Sequence, residues 1–317
     1  MSRIGLVLGA GGPVGHAYHA GVLAAIEQAT GWDPREAEII VGTSAGSIVA
    51  AMLRAGLSAP DLAAASLGRP LSPVGAALLA RAGPPARLAP PGPQHAALSR
   101  GPAAAALLFR PWGVRVGALA AALLPAGKVS TEAVAAGVRG VYGSGWADRP
   151  TWICALRLDD GRLVAFGRAG APAASMAEAV AASCAIPAYF QPVEIGGHRY
   201  VDGGTHSVTN ADLLRESQLD LVIVSCPMGG TRGAAFRMGI DLPLRAAVRV
   251  RLSREIAGLR RAGIPVLTLQ PTPAARSAMG VNAMDARRGP AVTAVALEST
   301  RTRLEQEDVR ERIAALA

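Results

Sequence analysis

The apolar positions between Arg3 and about Leu53 form short runs separated by longer helical segments. They predict, in order, a strand, a glycine loop, a helix, a second strand, a sharp corner at Ser44 and another helix. The second strand is indicated by the β-branched run Ile39–Val41. Such an alternation of strands and helices is typical of a mostly parallel sheet that is covered on both faces.

The stretch from Ala55 to Val129 has a different character, because it is rich in proline and alanine and lacks a strand pattern. It predicts a flexible or locally helical insertion over about residues 57–129, which we interpret as a cap or lid. With this insertion, residues 1–317 are expected to form a single domain.

Regular structure resumes near Ser130. Two hairpins are predicted, and the second places Asp202 at the end of its returning strand. The remaining expectations are hairpin turns at Asp159–Gly161 and Gly196–Gly197, strands from Leu219 and Pro265, a helix over about residues 244–262 and a last helix from about Ala291.

Composition limits the classes of partner. The chain has 317 residues and a net charge of +9, which comes almost entirely from arginine, since Lys128 is the only lysine. Only four Trp, four Tyr and four Phe are present. A protein that binds single-stranded nucleic acid needs aromatic side chains on which the bases stack, so we expect no nucleic-acid partner. Attraction to an anionic membrane surface remains open.

Cysteine usage and the chain start indicate the compartment. Cys154, Cys184 and Cys226 are widely spaced and odd in number, which favours a reducing environment over a disulfide framework. We see no signal peptide before the first strand, and the apolar window 103–124 is broken by two arginines and a proline. We therefore expect a cytoplasmic protein, with peripheral contact at a membrane surface left open.

Ser44 lies in the pattern Gly42-Thr43-Ser44-Ala45-Gly46 at the expected strand-to-helix corner. Such a corner exposes its side chain and leaves the first N–H groups of the helix directed at whatever reacts there, while flanking glycines relieve crowding. The pattern is therefore suited to presenting a nucleophile beside an anion site. Small residues also occur at ordinary strand-to-helix turns, so the motif alone leaves both interpretations open.

A glycine loop follows the first strand, with Gly9, Gly11, Gly12 and Gly15 opening a helix. Its first interpretation is dinucleotide binding, which needs an acidic residue at the end of the second strand. That strand ends at the serine corner instead. The same loop can hold the oxyanion of an acyl-transfer intermediate, with the N–H groups of Gly11 and Gly12 as donors.

Asp202 is the remaining candidate for the base. A Ser-acid-His triad would need a histidine after Asp202, and His206, only four residues on, is the only one, while Ser44 comes too early in the chain for that order, so the sequence argues against such a triad. Asp202-Gly203-Gly204 alone is more often just a turn, but the serine corner and the glycine loop in the same chain favour a catalytic role. His16 and His19 lie one turn apart without a third ligand candidate, so we expect no metal site.

These three motifs, together with the block Ala182–Phe190, resemble the patatin-like phospholipases in their order from about Ile4 to Asn210. The resemblance implies a three-layer α/β/α fold of the α/β class with a mostly parallel central sheet, here with an Ala/Pro-rich helical insertion. It also implies a Ser-Asp dyad without histidine. The implied roles are nucleophile and base for Ser44 and Asp202, oxyanion hole for Gly11 and Gly12, and motif support for Gly9, Gly15, Gly42, Gly46, Gly203 and Gly204.

The implied function is hydrolysis of lipid esters by a serine acyl hydrolase of phospholipase A or lysophospholipase type, without a cofactor. The apolar stretch Leu71–Leu124 is a candidate for acyl-chain binding or a merely space-filling cap. Two positions depart from the family pattern. Val14 stands where the family usually has an arginine or lysine. The family often has Asn-Pro after its Asp-Gly-Gly motif, whereas Asn210 is followed here by Ala211. We expect Asn210 to cap the next helix.

Two other functions stay open at this point. Val14 motivates a patatin-fold lipid-binding or regulatory protein with weak or no catalysis. The glycine loop motivates a nucleotide-binding oxidoreductase, which a titration with NAD or NADP would test.

Overall fold

The computed structural model describes residues 2–84, 127–230 and 241–313. A single sheet of eight strands has the order β5-β6-β3-β2-β1-β7-β8, with β4 paired to β3. The strands are β1 (Ile4–Leu8), β2 (Ile39–Thr43), β3 (Thr151–Arg157), β4 (Leu163–Phe166), β5 (Val193–Ile195), β6 (His198–Asp202), β7 (Leu221–Ser225) and β8 (Val266–Leu269).

Helices connect and cover these strands. They are α1 (Gly12–Thr30), α2 (Ala45–Arg54), α3 (Ala59–Leu67), α4 (Pro73–Ala82), α5 (Glu132–Tyr142), α6 (Met176–Ser183), α7 (Asp241–Arg261), α8 (Pro273–Met279), α9 (Gly289–Leu304) and α10 (Glu307–Ile313). Short 3-10 turns span Pro34–Glu36, Gly203–Thr205, Ala211–Glu216 and Ala286–Arg288.

The core lies on both faces of the sheet. Successive side chains of a strand point to opposite faces, and the two faces of β1 accordingly belong to different apolar clusters. Leu6 and Leu8 pack with α1, α2, α6 and α9, whereas Val7 packs with α7. The expected three-layer α/β/α arrangement is therefore confirmed.

The sheet has a parallel and an antiparallel part. Strand β1 pairs in parallel with β2 and β7, while β2 pairs in parallel with β3 and β7 with β8. The two expected hairpins, β3–β4 and β5–β6, form the antiparallel part together with the pair β3–β6. The mostly parallel sheet of the sequence prediction is confirmed, and β6 ends at Asp202 as expected.

The expected insertion is described only at its beginning. Residues 57–84 contain α3 and α4, which start after the side-chain caps Ser58 and Ser72. Asp61 accepts hydrogen bonds from the Ser72 amide and hydroxyl and thereby joins the two helices. The lid interpretation and most of the candidate acyl-binding stretch fall on residues 85–126, which lie outside the described residues.

One later expectation needs a small adjustment. The last predicted helix begins at Gly289, two residues earlier than expected, and the short helix α10 follows it. Within the described ranges, none of the helices is both long enough and apolar enough to cross a bilayer.

Close packing of α1 on α9 gives a test of this core. A Cβ on Gly21 would collide with the Thr293 carbonyl oxygen, whereas a Cβ on Gly137 of α5 would meet nothing closer than 3.4 Å. We predict that Gly21→Ala lowers the free energy of unfolding by about 1–3 kcal/mol through overpacking. Gly137→Ala should instead raise it by about 0.5–1 kcal/mol through the lower entropy of the unfolded chain.

Urea unfolding followed by circular dichroism measures both changes. The same sign for the two substitutions would contradict this account of the α1–α9 contact.

Candidate active site

Ser44 and Asp202 are brought together by one edge of β3. Strand β4 occupies the other edge along Ile153–Leu156. On the shared edge, Cys154 pairs with Thr43 of β2, and the next residue, Ala155, pairs with Asp202 of β6. Strand β2 is parallel to β3 and β6 is antiparallel, so the two strands end against each other at this point.

The corner at Ser44 has the backbone strain expected of a nucleophile turn. Ser44 has φ 53° and ψ −121° and is 4% exposed. A Cβ on Gly42 would lie 2.7 Å from the Ser47 Cα, and one on Gly46 would collide with the Leu8 carbonyl. These approaches explain why the motif needs glycine on both sides of the serine.

Asp202 is a buried carboxylate with two donors. Its Oδ1 accepts from the Gly204 N–H at 2.7 Å, and the Ser44 side chain hydrogen-bonds to the same carboxyl group. Burial raises the pKa of Asp202 to about 6, although both hydrogen bonds act in the opposite direction. A Cβ on Gly203 would collide with the Cys154 carbonyl, so this position also requires glycine.

The glycine loop lies beside this pair. Its Gly9 N–H donates to the Ser225 carbonyl at 3.0 Å, and its Ala10 N–H donates to the Val208 carbonyl at 2.7 Å. The Ala10 side chain is 3.3 Å from the place that a Cβ on Gly204 would take. The loop therefore contacts the Asp202-Gly203-Gly204 turn directly.

The N–H groups of Gly11 and Gly12 donate no hydrogen bond to any of the described residues. Both stand at the N-terminus of α1, where the helix dipole favours negative charge. Segment Ala283–Met284 borders this position, since a Cβ on Gly12 would lie 2.8 Å from the Ala283 carbonyl oxygen and 3.2 Å from the Met284 sulfur. The two free donors are thus available to an anionic group.

His19 connects the glycine loop to the end of β7. Its Nε2 lies 2.8 Å from the Gly9 carbonyl oxygen and its Nδ1 2.8 Å from the Ser225 hydroxyl. Because a carbonyl only accepts, Nε2 carries the proton and Nδ1 accepts from Ser225. Burial lowers the pKa of His19 to about 4, so the ring is neutral at pH 7 and has a packing role. In the described part of the chain, no three His, Cys, Asp or Glu side chains form a metal-binding group.

Sequence reasoning missed the residues that hold the corner in place. The Ser44 N–H donates to the hydroxyl of the buried Ser183 at 2.8 Å. Asn210 was expected to cap the next helix; it takes the N-cap position of the 3-10 turn Ala211–Glu216, but its side chain makes no cap hydrogen bond. Its Nδ2 instead donates to Thr43 Oγ1 at 3.1 Å. Ser183 and Asn210 both stand in or beside recognisable motifs, but nothing local in the sequence indicates their partners.

Backbone strain is concentrated around the same place. Among the described residues, three non-glycine residues have positive φ, namely Ser44, Ala188 and Asn210. Ala188 belongs to the loop after α6, in which the Ala185 carbonyl accepts from the Asp202 N–H at 2.9 Å. Strained residues of this kind persist where the surrounding structure over-determines them, which is common at functional sites.

The family comparison covers one part of this site. Residues 153–215 match the family model described as Patatin-like phospholipase. The matched segment begins in β3 and includes the block Ala182–Phe190 and Asp202, so the expected resemblance is confirmed there. Ser44 and the glycine loop lie outside the matched segment. No curated protein matches the chain.

Solved structures similar to this chain include VipD from Legionella pneumophila, with 13% identity, a TM-score of 0.39 and coverage of 94% of this chain and 67% of that chain. The type III effector protein ExoU has 16% identity, a TM-score of 0.38 and coverage of 98% and 53%. The chain therefore spans roughly half to two thirds of the length of these proteins.

The burial of Asp202 has a measurable consequence for stability. The pKa of Asp202 is near 4 in the unfolded chain and about 6 in the native protein. As pH falls, the native protein therefore binds this proton at a higher pH than the unfolded chain does. The associated stability is present below pH 4 and is lost as pH rises through 6, which amounts to about 3 kcal/mol. We predict that Asp202→Asn, which mimics the protonated form, is more stable than wild type at pH 8.

Urea midpoints at pH 8 and pH 4.5 measure this difference, which should shrink at the lower pH. Asp148→Asn, at an exposed position, is the matched control and should change neither midpoint. A less stable Asp202→Asn at pH 8 would contradict the burial cost.

Proposed function

We propose, from the patatin-like similarity of residues 153–215 and the geometry around Ser44, that the protein is a serine acyl hydrolase of lipid esters. It is a carboxylic ester hydrolase of phospholipase A or lysophospholipase type. The observation that carries the proposal is a serine at a strained strand-to-helix corner, hydrogen-bonded to a buried carboxylate, beside two backbone N–H groups that donate to none of the described residues.

In the first half-reaction, Asp202 accepts the proton of the Ser44 hydroxyl as its oxygen attacks the ester carbonyl. A free carboxylate is a weak base, and the raised pKa of Asp202 makes proton transfer at neutral pH more favourable. No histidine is needed for this step. Collapse of the tetrahedral intermediate transfers the proton to the leaving alcohol and leaves an acyl group on Ser44.

The negative charge on the tetrahedral oxygen is stabilised by the N–H groups of Gly11 and Gly12 at the start of the 19-residue helix α1. In the second half-reaction, Asp202 removes a proton from water as the water attacks the acyl-enzyme. Collapse of the second tetrahedral intermediate breaks the bond between the acyl group and the Ser44 oxygen, returns the proton from Asp202 to Ser44 and releases the carboxylic acid. Both half-reactions use the N–H groups of Gly11 and Gly12 and the carboxylate of Asp202. The glycine loop and the Asp202 turn must therefore keep their relative positions throughout the reaction.

The substrate is a lipid ester, and the proposal includes peripheral contact with a membrane surface, to which the net charge of +9 would contribute. Val14 motivates the alternative of a lipid-binding protein with little catalysis. Val14 is 2% exposed and packs in the main apolar cluster, so an arginine there would introduce a buried charge. Measuring turnover by the wild-type protein therefore distinguishes a hydrolase from a lipid-binding protein better than the substitution Val14→Arg does.

We predict that the purified protein hydrolyses a short-chain and a long-chain ester, and that Ser44→Ala reduces both rates to the background of heat-treated protein. Ser299→Ala on α9 is the matched control and should keep the wild-type rates. Equal hydrolysis by wild type and Ser44→Ala would exclude Ser44 as the nucleophile. If neither protein hydrolyses an ester, the result favours the lipid-binding alternative.

The pKa of Asp202 predicts the pH dependence of this activity. Asp202 must be ionised to accept a proton, so kcat/KM should rise with pH and level off above about 6. Initial rates between pH 4.5 and pH 8, corrected for the folded fraction at each pH, measure the profile. A flat profile across that range would exclude Asp202 as the base.

A further inference from the structure

Segment Ser207–Ala211 links three parts of the candidate site. The Val208 carbonyl accepts the Ala10 N–H of the glycine loop at 2.7 Å. The Asn210 side chain donates to Thr43, the residue before Ser44. Only Thr205 and His206 separate the segment from the Asp202-Gly203-Gly204 turn. A displacement of this segment would therefore move the oxyanion donors and the nucleophile relative to the base.

A buried glutamate of α7 holds this segment from the opposite side. Glu255 is 2% exposed. Its Oε2 accepts from the Thr209 hydroxyl at 2.5 Å and from the Ala211 N–H at 3.2 Å. The Ser207 side chain also hydrogen-bonds to the carboxyl group. Three of the five residues in the segment thus donate to one carboxylate.

Arg251 supplies the opposite charge. It lies one turn before Glu255 on α7, and its Nε donates to Glu255 Oε1 at 2.9 Å. The same guanidinium reaches Asp212 at 3.3 Å, so it ties the end of the segment to the helix as well. Removing one partner of such a buried, hydrogen-bonded arrangement leaves donors or a charge unsatisfied.

We propose that Glu255 is a positioning residue of the candidate active site. Its carboxylate fixes Ser207–Ala211, and this segment in turn sets the glycine loop through Ala10 and the nucleophile corner through Thr43. The role assigned to Glu255 rests on the proposed hydrolase function. Glu255 lies outside the four motifs that carry the family resemblance and outside the matched residues 153–215.

The test compares substitutions that remove or keep the acceptor. Glu255→Leu removes both oxygens, while Glu255→Gln keeps one side-chain oxygen for Thr209 and Ala211. We expect Glu255→Leu to lower kcat by about 10- to 100-fold with little change in KM, because small displacements of catalytic groups cost this much. Glu255→Gln should recover most of the rate, and Arg254→Leu, at the neighbouring exposed position on α7, should match wild type.

Hydrogen exchange measured by mass spectrometry gives a readout that does not depend on activity. In Glu255→Leu we expect faster exchange in peptides covering residues 4–15, 39–47 and 203–212, with residues 17–30 of α1 unchanged. Thr209→Val removes one donor without removing the carboxylate and should change the same peptides to a smaller extent. It serves as the second variant if Glu255→Leu does not fold.

Two results would overturn the proposal. One is unchanged kcat per folded molecule in both Glu255→Leu and Thr209→Val. The other is a uniform increase in hydrogen exchange over the whole protein in Glu255→Leu, which is the result expected if Glu255 and Arg251 form only an ordinary buried ion pair that stabilises the fold. If the wild type shows no Ser44-dependent hydrolysis, the proposed function fails, and exchange in the three peptides still decides whether Glu255 fixes this segment.

Discussion

The whole site depends on a single edge of β3 that is shared by two strands of opposite direction. Strand β2 uses the edge up to Cys154, and β6 uses it from Ala155 onward. Backbone hydrogen bonds therefore set the distance between the Ser44 corner and Asp202, rather than flexible loops. A slip of one residue in β6 would turn Asp202 to the other face of the sheet, so the register is under strong constraint.

The site combines several features that are unfavourable on their own. Ser44 and Asn210 have positive φ, and Asp202 and Glu255 bury carboxyl groups. Positive φ at a non-glycine residue costs of order 1–3 kcal/mol and persists only where the surrounding structure over-determines it. A buried carboxyl group loses its hydration and needs hydrogen-bond donors in exchange. Here the surroundings are the two apolar layers on either side of the sheet, which hold the parallel strands β1, β2 and β7 in place.

Local signals in the sequence predicted the fold class, both hairpins and the positions of Ser44 and Asp202 at the ends of their strands. These features depend on residues that are close in the chain, such as the β-branched run before Ser44 and the glycine pair at 196 and 197. The meeting of β2 and β6 on β3 could not be predicted in this way, because strand pairing over such separations has no local pattern.

The same limit applies to the supporting residues. Ser183 lies 139 positions from its partner Ser44, and Asn210 lies 167 positions from Thr43. Asn210 stands at the N-cap position of the turn Ala211–Glu216, as the common local role of asparagine predicts, but its side chain forms a long-range contact instead of a cap hydrogen bond. Val14, which stood out against the family pattern, is explained by its packing in the core rather than by chemistry at the loop.

The distance along the chain between Ser44 and the residues that hold it has a consequence for protein synthesis. The ribosome completes β1, β2 and the serine corner early, whereas Ser183, Asp202 and Glu255 emerge much later. Without them the strained corner has neither its amide acceptor nor its carboxylate. The Ser44 corner therefore stays unassembled until most of the chain has been made, so the proposed hydrolase activity would be absent from a nascent, partly folded chain.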